Sequence, residues 1–198
     1  MAFDVCPANR VLNILAGLAG REYDANGALA AAGKVNRQLL ERLNALSYYS
    51  KPYPKSLANE FGTETVLPMV RGVMGDPGAG DGDKDGLSVE DALCTYVEHI
   101  ADQIRRSVEG LLHSTAGRML VTGGGAHNGF LIGRLRELLA PLGIEVVVPD
   151  EQLVDYKEAL VMALIGVLRW REENNVFASV TGASRDSIGG AVWIGQEV

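Results

Sequence analysis

Cysteine is scarce in this sequence: only Cys6 and Cys94 occur among 198 residues, far apart and without CxxC spacing, which removes a disulfide framework and gives no zinc site. Histidine is nearly as rare, at three residues, and nothing in the sequence places one beside Cys6 to make it a nucleophile. Clustered cations are missing too. Lys and Arg number 18 against 25 Asp and Glu, for a formal charge of −7 and a pI near 5.0, so there is no electrostatic footprint for a nucleic acid backbone. Long apolar runs are lacking as well. The longest, Ala159 to Leu168, is about half of what a membrane span needs. The N-terminus has neither the charged nor the apolar region of a signal peptide, so the expectation is a cytoplasmic protein with no membrane partner.

What is present is apolar content sufficient for a sizeable core. Hydrophobic residues make up 47% of the chain, which reads as one domain over 1–198 with an appended loop. That loop spans 75–86, where five glycines, one proline and four aspartates fall within twelve residues and predict exposed, irregular chain. Helices are expected from Arg10 to Gly20, where Val11, Leu12, Leu15 and Leu18 recur, and from about Asn36, through Leu39, Leu40, Leu43 and Leu46. Between Ser47 and Ser56, Pro52 and Pro54 beside Tyr48, Tyr49 and Tyr53 exclude a regular helix. Ser88 has the character of an N-cap, with Asp91 three residues on, and Leu93, Tyr96, Val97, Ile100, Ile104 and Val108 continue a long amphipathic stripe.

The second half alternates. A strand at Met119, Leu120 and Val121 leads through glycines to a helix over 129–139; Ile144 to Val148 is a β-branched run; 155–172 reads as a helix and 190–194 as a last strand. This order predicts an α/β layered domain with a central sheet.

The junction Thr122, Gly123, Gly124, Gly125, Ala126, His127, Asn128 is the most informative stretch. Glycines between an apolar strand and an apolar helix let backbone approach a ligand closely, and the first helical turn is expected to aim free N–H groups at the loop, which suits a phosphate or nucleotide. The stretch is neither GxGxxG nor GxxxxGK[ST], so a tight turn between core elements stays open as the plainer reading. Asp81, Asp83, Asp85 and Gly86 open like a calcium loop, but the twelfth position is Ala92 rather than glutamate, and a solvated acidic loop is expected. Asp4, Cys6, Pro7 and Asn9 form a polar knot before the first helix, where Asn9 is read as a cap and Asp4 as solvent-facing. Lys55, Ser56, Asn59 and Glu60 read as a hydrophilic loop, and Glu158 as a surface carboxylate near a helix start.

Together these pieces resemble the C-terminal half of an anhydro-N-acetylmuramic acid kinase, a bacterial sugar kinase of the actin-like ATPase superfamily. The residues that carry the resemblance are Phe3, Asp4, Pro7, Ala8 and Asn9; Tyr23, Asp24, Gly27, Ala28, Ala30, Gly33, Lys34 and Val35; Pro54, Lys55, Ser56 and Glu60; Gly123 to Asn128; and Val180 to Ala183. The resemblance implies a ribonuclease H-like lobe with a mixed central sheet and flanking helices. It implies that ATP phosphorylates the 6-hydroxyl of a 1,6-anhydro amino sugar while water opens the anhydro bond. It gives Asp4 the part of general base toward that water; Gly123, Gly124, Gly125, His127 and Asn128 the nucleotide; and Asn9 and Glu158 the sugar. Val5 and Cys6 stand where the family usually has Thr and Gly. The family's N-terminal half carries a GTSxDGxD-type phosphate loop and most of the magnesium ligands, so the chain is expected to be inactive without such a lobe. The expected partners are a nucleotide, the anhydro sugar, and either an N-terminal lobe or a second copy. A non-catalytic nucleotide-binding or scaffolding domain, built on the same loop, is the alternative.

Overall fold

The computed structural model describes residues 2–75, 86–111, 116–193 and 195. Most of the 75–86 loop, with Asp81, Asp83 and Asp85 of the calcium reading, lies outside the described residues. Ten regular elements follow in order: α1 (Asn9–Leu18), α2 (Ala28–Ala32), α3 (Arg37–Asn44), α4 (Leu67–Arg71), α5 (Val89–Leu111), β1 (Gly117–Leu120), α6 (Gly129–Leu139), β2 (Ile144–Val147), α7 (Glu151–Trp170) and α8 (Ala178–Thr181).

Helix α5 is the axis of the body. Ser88 Oγ accepts the Asp91 N–H at 3.1 Å, and Glu90 and Asp91 sit in the first turn, where the dipole favours them. Its apolar stripe then disappears between its neighbours: Leu93, Tyr96, Val97 and Ile100 are buried together with Val11 and Leu15 of α1, Leu39 and Leu43 of α3, and Leu131 and Leu135 of α6. Arg134 of α6 bonds both carboxylate oxygens of Glu98 at 2.8 and 3.0 Å, a paired contact that fixes α6 along α5. Inside the same face His99 is fully enclosed. Its Nδ1 lies 2.6 Å from Asn44 Oδ1 and its Nε2 2.9 Å from the Tyr49 hydroxyl, and burial pushes the imidazole down to about 4, so it is neutral at neutral pH.

β1 and β2 pair in parallel, Gly117 opposite Ile144 through Leu120 opposite Val147, with α6 as the crossover. Ile144 and Val146 bury one face of this pair, whereas Leu120 on the other face is 56% exposed. The sheet is smaller than the sequence suggests. Among the described residues two parallel strands pair and no mixed central sheet forms, and residues 190–193 of the expected last strand are not in a strand, because a strand exists only where a neighbour accepts its hydrogen bonds.

Helix α7 starts where expected to within four residues, capped by Asp150, whose Oδ1 accepts the Leu153 N–H at 2.8 Å. Only Val154 along it is buried; Leu160, Met162, Leu164, Val167 and Trp170 are exposed. Beyond it, Asn175 closes a loop on itself by bonding the carbonyls of Ile165 and Gly189 and the N–H of Gly189.

Candidate functional site

The glycine junction folds as a left-handed step followed by a short turn. Gly123 takes φ +73° and ψ −174°, a conformation that an L side chain rarely adopts, and Gly124–His127 then form one tight 3-10 turn into α6. Gly124 is closely approached: a Cβ there would stand 2.7 Å from Asn9 Nδ2, the end of a side chain that would have to turn aside. Asn9, at the start of α1, is therefore packed against the loop, which brings two separated motifs together. It does not cap α1, since the cap position is Ala8 and makes no side-chain bond.

The donors of the junction are not those expected. In the first turn of α6, the Gly129 N–H goes to Asn26 Oδ1 at 3.1 Å and the Leu131 N–H to Asn128 Oδ1 at 3.0 Å, so the helix start is largely satisfied by protein. Asn128 is buried and serves as the N-cap. Among the described residues, no protein acceptor is found for the N–H groups of Thr122, Gly124 and Gly125 in the loop and of Phe130 in the first turn of α6. His127 is exposed and pairs through Nε2 with Asp155 of α7 at 2.9 Å, while the Gly123 N–H donates to Val154 O at 3.3 Å; together these tie the loop to the first turn of α7.

Facing the loop is a segment to which the sequence reading gave no role, Glu22 to Asn26. Asp24 is buried, its two carboxylate oxygens accepting the N–H groups of Leu29 and Ala30 at 2.8 and 3.0 Å. That bond pair caps α2 and lets Asn26 swing out at φ +57° to reach Gly129. Between the two walls lies a cleft of about 550 Å³, with Tyr23, Asn26, Gly124 and His127 on its sides and Asn9, Leu12 and Asn13 as its floor. Among the described residues no Lys or Arg lines it. The signal for the second wall was visible as the turn-forming run Asp24, Ala25, Asn26, Gly27, yet only the fold sets it opposite the glycines.

Asp4 lies in an adjoining hollow of about 390 Å³ with Cys6, Arg10 and Asn59. It is exposed, as expected, but firmly held. Its Oδ2 accepts the Leu57 N–H at 2.7 Å, its own N–H donates to Lys55 O at 3.0 Å, and the Tyr48 hydroxyl donates to its carbonyl at 2.6 Å. The Tyr96 hydroxyl donates to Pro7 O at 2.7 Å, holding the other end of the same segment. Lys55, read as part of a loop, turns inward: its ammonium sits 4.7 Å over the Tyr48 ring and near the carbonyls of Tyr48 and Tyr49, and burial lowers its pKa. Burial pushes the Cys6 thiol up to about 12, so Cys6 is a neutral packing residue and no nucleophile at neutral pH. Glu158 joins neither cavity. It is exposed on α7, one turn beyond Asp155 on the side that meets His127. Among the described residues no group of three or more His, Cys, Asp or Glu could hold a metal ion, and no helix is long and apolar enough to cross a membrane.

A sequence model described as anhydro-N-acetylmuramic acid kinase matches residues 1–195. Curated proteins of that same name are similar over nearly the whole chain. The one from Gloeobacter violaceus is 34% identical over 189 residues, covering 93% of this chain and 46% of the relative. That from Rhodococcus erythropolis is 34% identical over 202 residues, with 99% and 47% covered, and that from Clostridioides difficile 32% identical over 189 residues, with 92% and 45% covered. The chain thus spans about half the length of the curated relatives it matches.

Proposed function

The chain belongs to the anhydro-N-acetylmuramic acid kinase family, and we propose that it is the C-terminal, nucleotide-binding half of such a kinase, a lobe of ribonuclease H-like, actin-like ATPase type that turns over only with an N-terminal half. The observation that carries this reading is the cleft between the glycine loop and Tyr23 to Asn26, into which Gly124 presents main chain where any Cβ would meet Asn9. The unclaimed N–H groups of Gly124 and Gly125 suit phosphate oxygens, as neutral donors that cost no reorganisation.

ATP, when bound, supplies the phosphoryl group for the 6-hydroxyl of a 1,6-anhydro amino sugar. The residues of this chain do the rest of their share as follows. Asp155 holds His127, and Val154 holds Gly123, so the loop is fixed against α7. The Leu57 N–H fixes one oxygen of the Asp4 carboxylate, leaving Oδ1 to take a proton from the water that opens the anhydro bond. Asn9, seated against Gly124, lies where sugar and nucleotide meet, and Glu158 on α7 offers a hydrogen-bonding carboxylate to the sugar.

The cation that phosphate charge requires is not supplied by this cleft, which has no Lys or Arg, nor by a carboxylate cluster able to hold magnesium among the described residues. No step is therefore assigned to magnesium on this chain. One charge clamp missing from the transition state removes several kcal/mol of stabilisation, so weak nucleotide binding and negligible turnover are expected alone.

Calorimetry tests the site: ATP or ADP should bind the chain weakly, and Gly124→Val should reduce affinity by roughly tenfold or more with an unchanged melting curve. Equal binding by variant and parent would end this reading. In a mixture with an N-terminal half that restores formation of the 6-phosphate product, Asp4→Asn should remove turnover while ATP affinity stays within about twofold, because the amide keeps the shape but cannot accept a proton. Nucleotide binding with no turnover in that mixture would favour a non-catalytic nucleotide-binding or scaffolding domain, a reading that the absence of cations in the cleft supports.

A further inference from the structure

Lys55 carries its charge in an unusual place. It is half-buried, and among the described residues no carboxylate pairs with it. Its ammonium stands 4.7 Å over the Tyr48 ring and 5.4 Å over the Tyr53 ring, and lies 3.4 and 3.3 Å from the carbonyl oxygens of Tyr48 and Tyr49. It lines neither the cleft nor the hollow at Asp4, so it meets no ligand in either. Taking an ammonium out of water is unfavourable, and a methionine would fill the same space among aromatic rings without that penalty. What the lysine adds is a set of donors that tie down a turn.

That turn is Ser47–Ser50, to which both carbonyls belong. From it the Tyr48 hydroxyl reaches out to donate to Asp4 O at 2.6 Å; burial, with Asp4 nearby, pushes this phenol up to about 12, so it stays a donor at neutral pH. The Tyr49 hydroxyl sits 2.9 Å from His99 Nε2, which ties the turn to α5. Lys55 also holds Asp4 directly. Its carbonyl accepts the Asp4 N–H at 3.0 Å, and two residues on the Leu57 N–H reaches Asp4 Oδ2 at 2.7 Å. Phe3, the neighbour of Asp4 in the chain, stacks at 4.2 Å on Tyr53, one of the two rings beneath the ammonium. Resting on the half-kinase reading, we propose that Lys55 is the positioning residue of Asp4: its ammonium locks the turn that carries the Tyr48 hydroxyl while its carbonyl takes the Asp4 N–H, and together they aim Oδ1 at the water that opens the anhydro bond. Lys55 touches no substrate atom and moves no proton. Its effect is on orientation alone, where a displacement of about 1 Å costs up to about 100-fold in rate.

The test is Lys55→Met, which keeps the length of the side chain and removes its charge and donors. In the chain alone, the amides of Asp4 and Leu57 should exchange roughly tenfold or more faster than in the parent, while that of Ile100 in α5 keeps its protection. In the mixture with an N-terminal half, kcat should fall by roughly tenfold or more with KM for the anhydro sugar and for ATP within about twofold, since binding does not run through Lys55. A residue that only supported the fold would lower the melting temperature and leave kcat per folded molecule as it was. Should Lys55→Met not fold, Tyr48→Phe is read in the same way, because it severs the link through which the ammonium acts. Unchanged exchange at Asp4 and Leu57, an unchanged kcat, or a loss carried by KM would each overturn the proposal. Where the mixture gives no turnover even with the parent chain, the exchange in the chain alone decides. Full turnover by Asp4→Asn would overturn the assigned base and this proposal together, whereas an inactive Asp4→Asn beside a fully active Lys55→Met would overturn this proposal alone.

Discussion

The body around α5 and the long helix α7 are both rich in leucine, valine and alanine, yet they meet water very differently. Along α5, Leu93, Tyr96 and Val97 are wholly enclosed; along α7, Leu160 is 61% exposed and Met162 65%. Of the two long helices α7 is the more apolar in sequence. The difference is that α1, α2, α3 and α6 close on α5, whereas α7 reaches the body chiefly through its first turn. Apolar periodicity therefore announces that a helix wants a partner, not that its partner is in the same chain. An apolar face left open on this scale is a surface for assembly.

Three measurements can break or sharpen that contrast. The largest effect should come from Leu93→Ala, which empties a fully buried site and should cost between about 2 and 5 kcal/mol in a denaturant titration, against less than about 0.5 kcal/mol for Leu164→Ala on α7. Similar losses at the two positions would mean that α7 is packed in solution and the contrast is wrong.

Next comes acid. His99 is held neutral in the body by burial, with smaller opposing effects from Asp102 and Arg106, and its pKa in the folded chain, about 4, lies below the ordinary 6.5. The unfolded chain thus binds the proton first, so the contribution is fully present above pH 6.5 and is lost as pH falls through the window down to about 4, up to about 3 kcal/mol. His99→Gln should flatten the fall in melting temperature over that window, with α7 reporting nothing. An unchanged pH profile would count against the buried neutral imidazole.

The smallest effect should be at the joint between the two regions. Asp155→Asn removes the half-exposed partner of His127 and should change global stability by no more than about 0.5 kcal/mol. Amide exchange in the first turn of α7 should nevertheless quicken. Protection there equal to the parent's would show that α7 has other anchors.

Much of the body was legible in the sequence because its elements are set locally. The stripe from Leu93 to Val108, the Ser88 cap and the β-branched run from Ile144 each carry their own signal, and α5, α6 and β2 lie where periodicity put them. What was not legible depends on contacts distant in sequence. The strand expected at 190–194 needs a neighbouring strand, and among the described residues none pairs with 190–193, where the Gly190 carbonyl instead accepts from Arg169. Asn128 lines the cleft and also caps α6 through Oδ1, while Asn26, over a hundred residues earlier, supplies the other acceptor at that helix start, a role that the glycine motif does not announce. The cleft itself is of this kind: its glycine wall can be read in one line of sequence, while its Tyr23 to Asn26 wall becomes a wall only through Asp24's grip on α2.

The two tyrosine hydroxyls that hold the Asp4 segment grip carbonyls, at Asp4 and Pro7, and not side chains. A carbonyl is the same whatever residue carries it. The bonds that set the course of this segment therefore do not depend on which side chains stand at positions 5 and 6, although Cys6 still has to pack against the core. The hold sits on Tyr48 and Tyr96, and loss of either hydroxyl should move the Asp4 carboxylate more than an isosteric change at position 5.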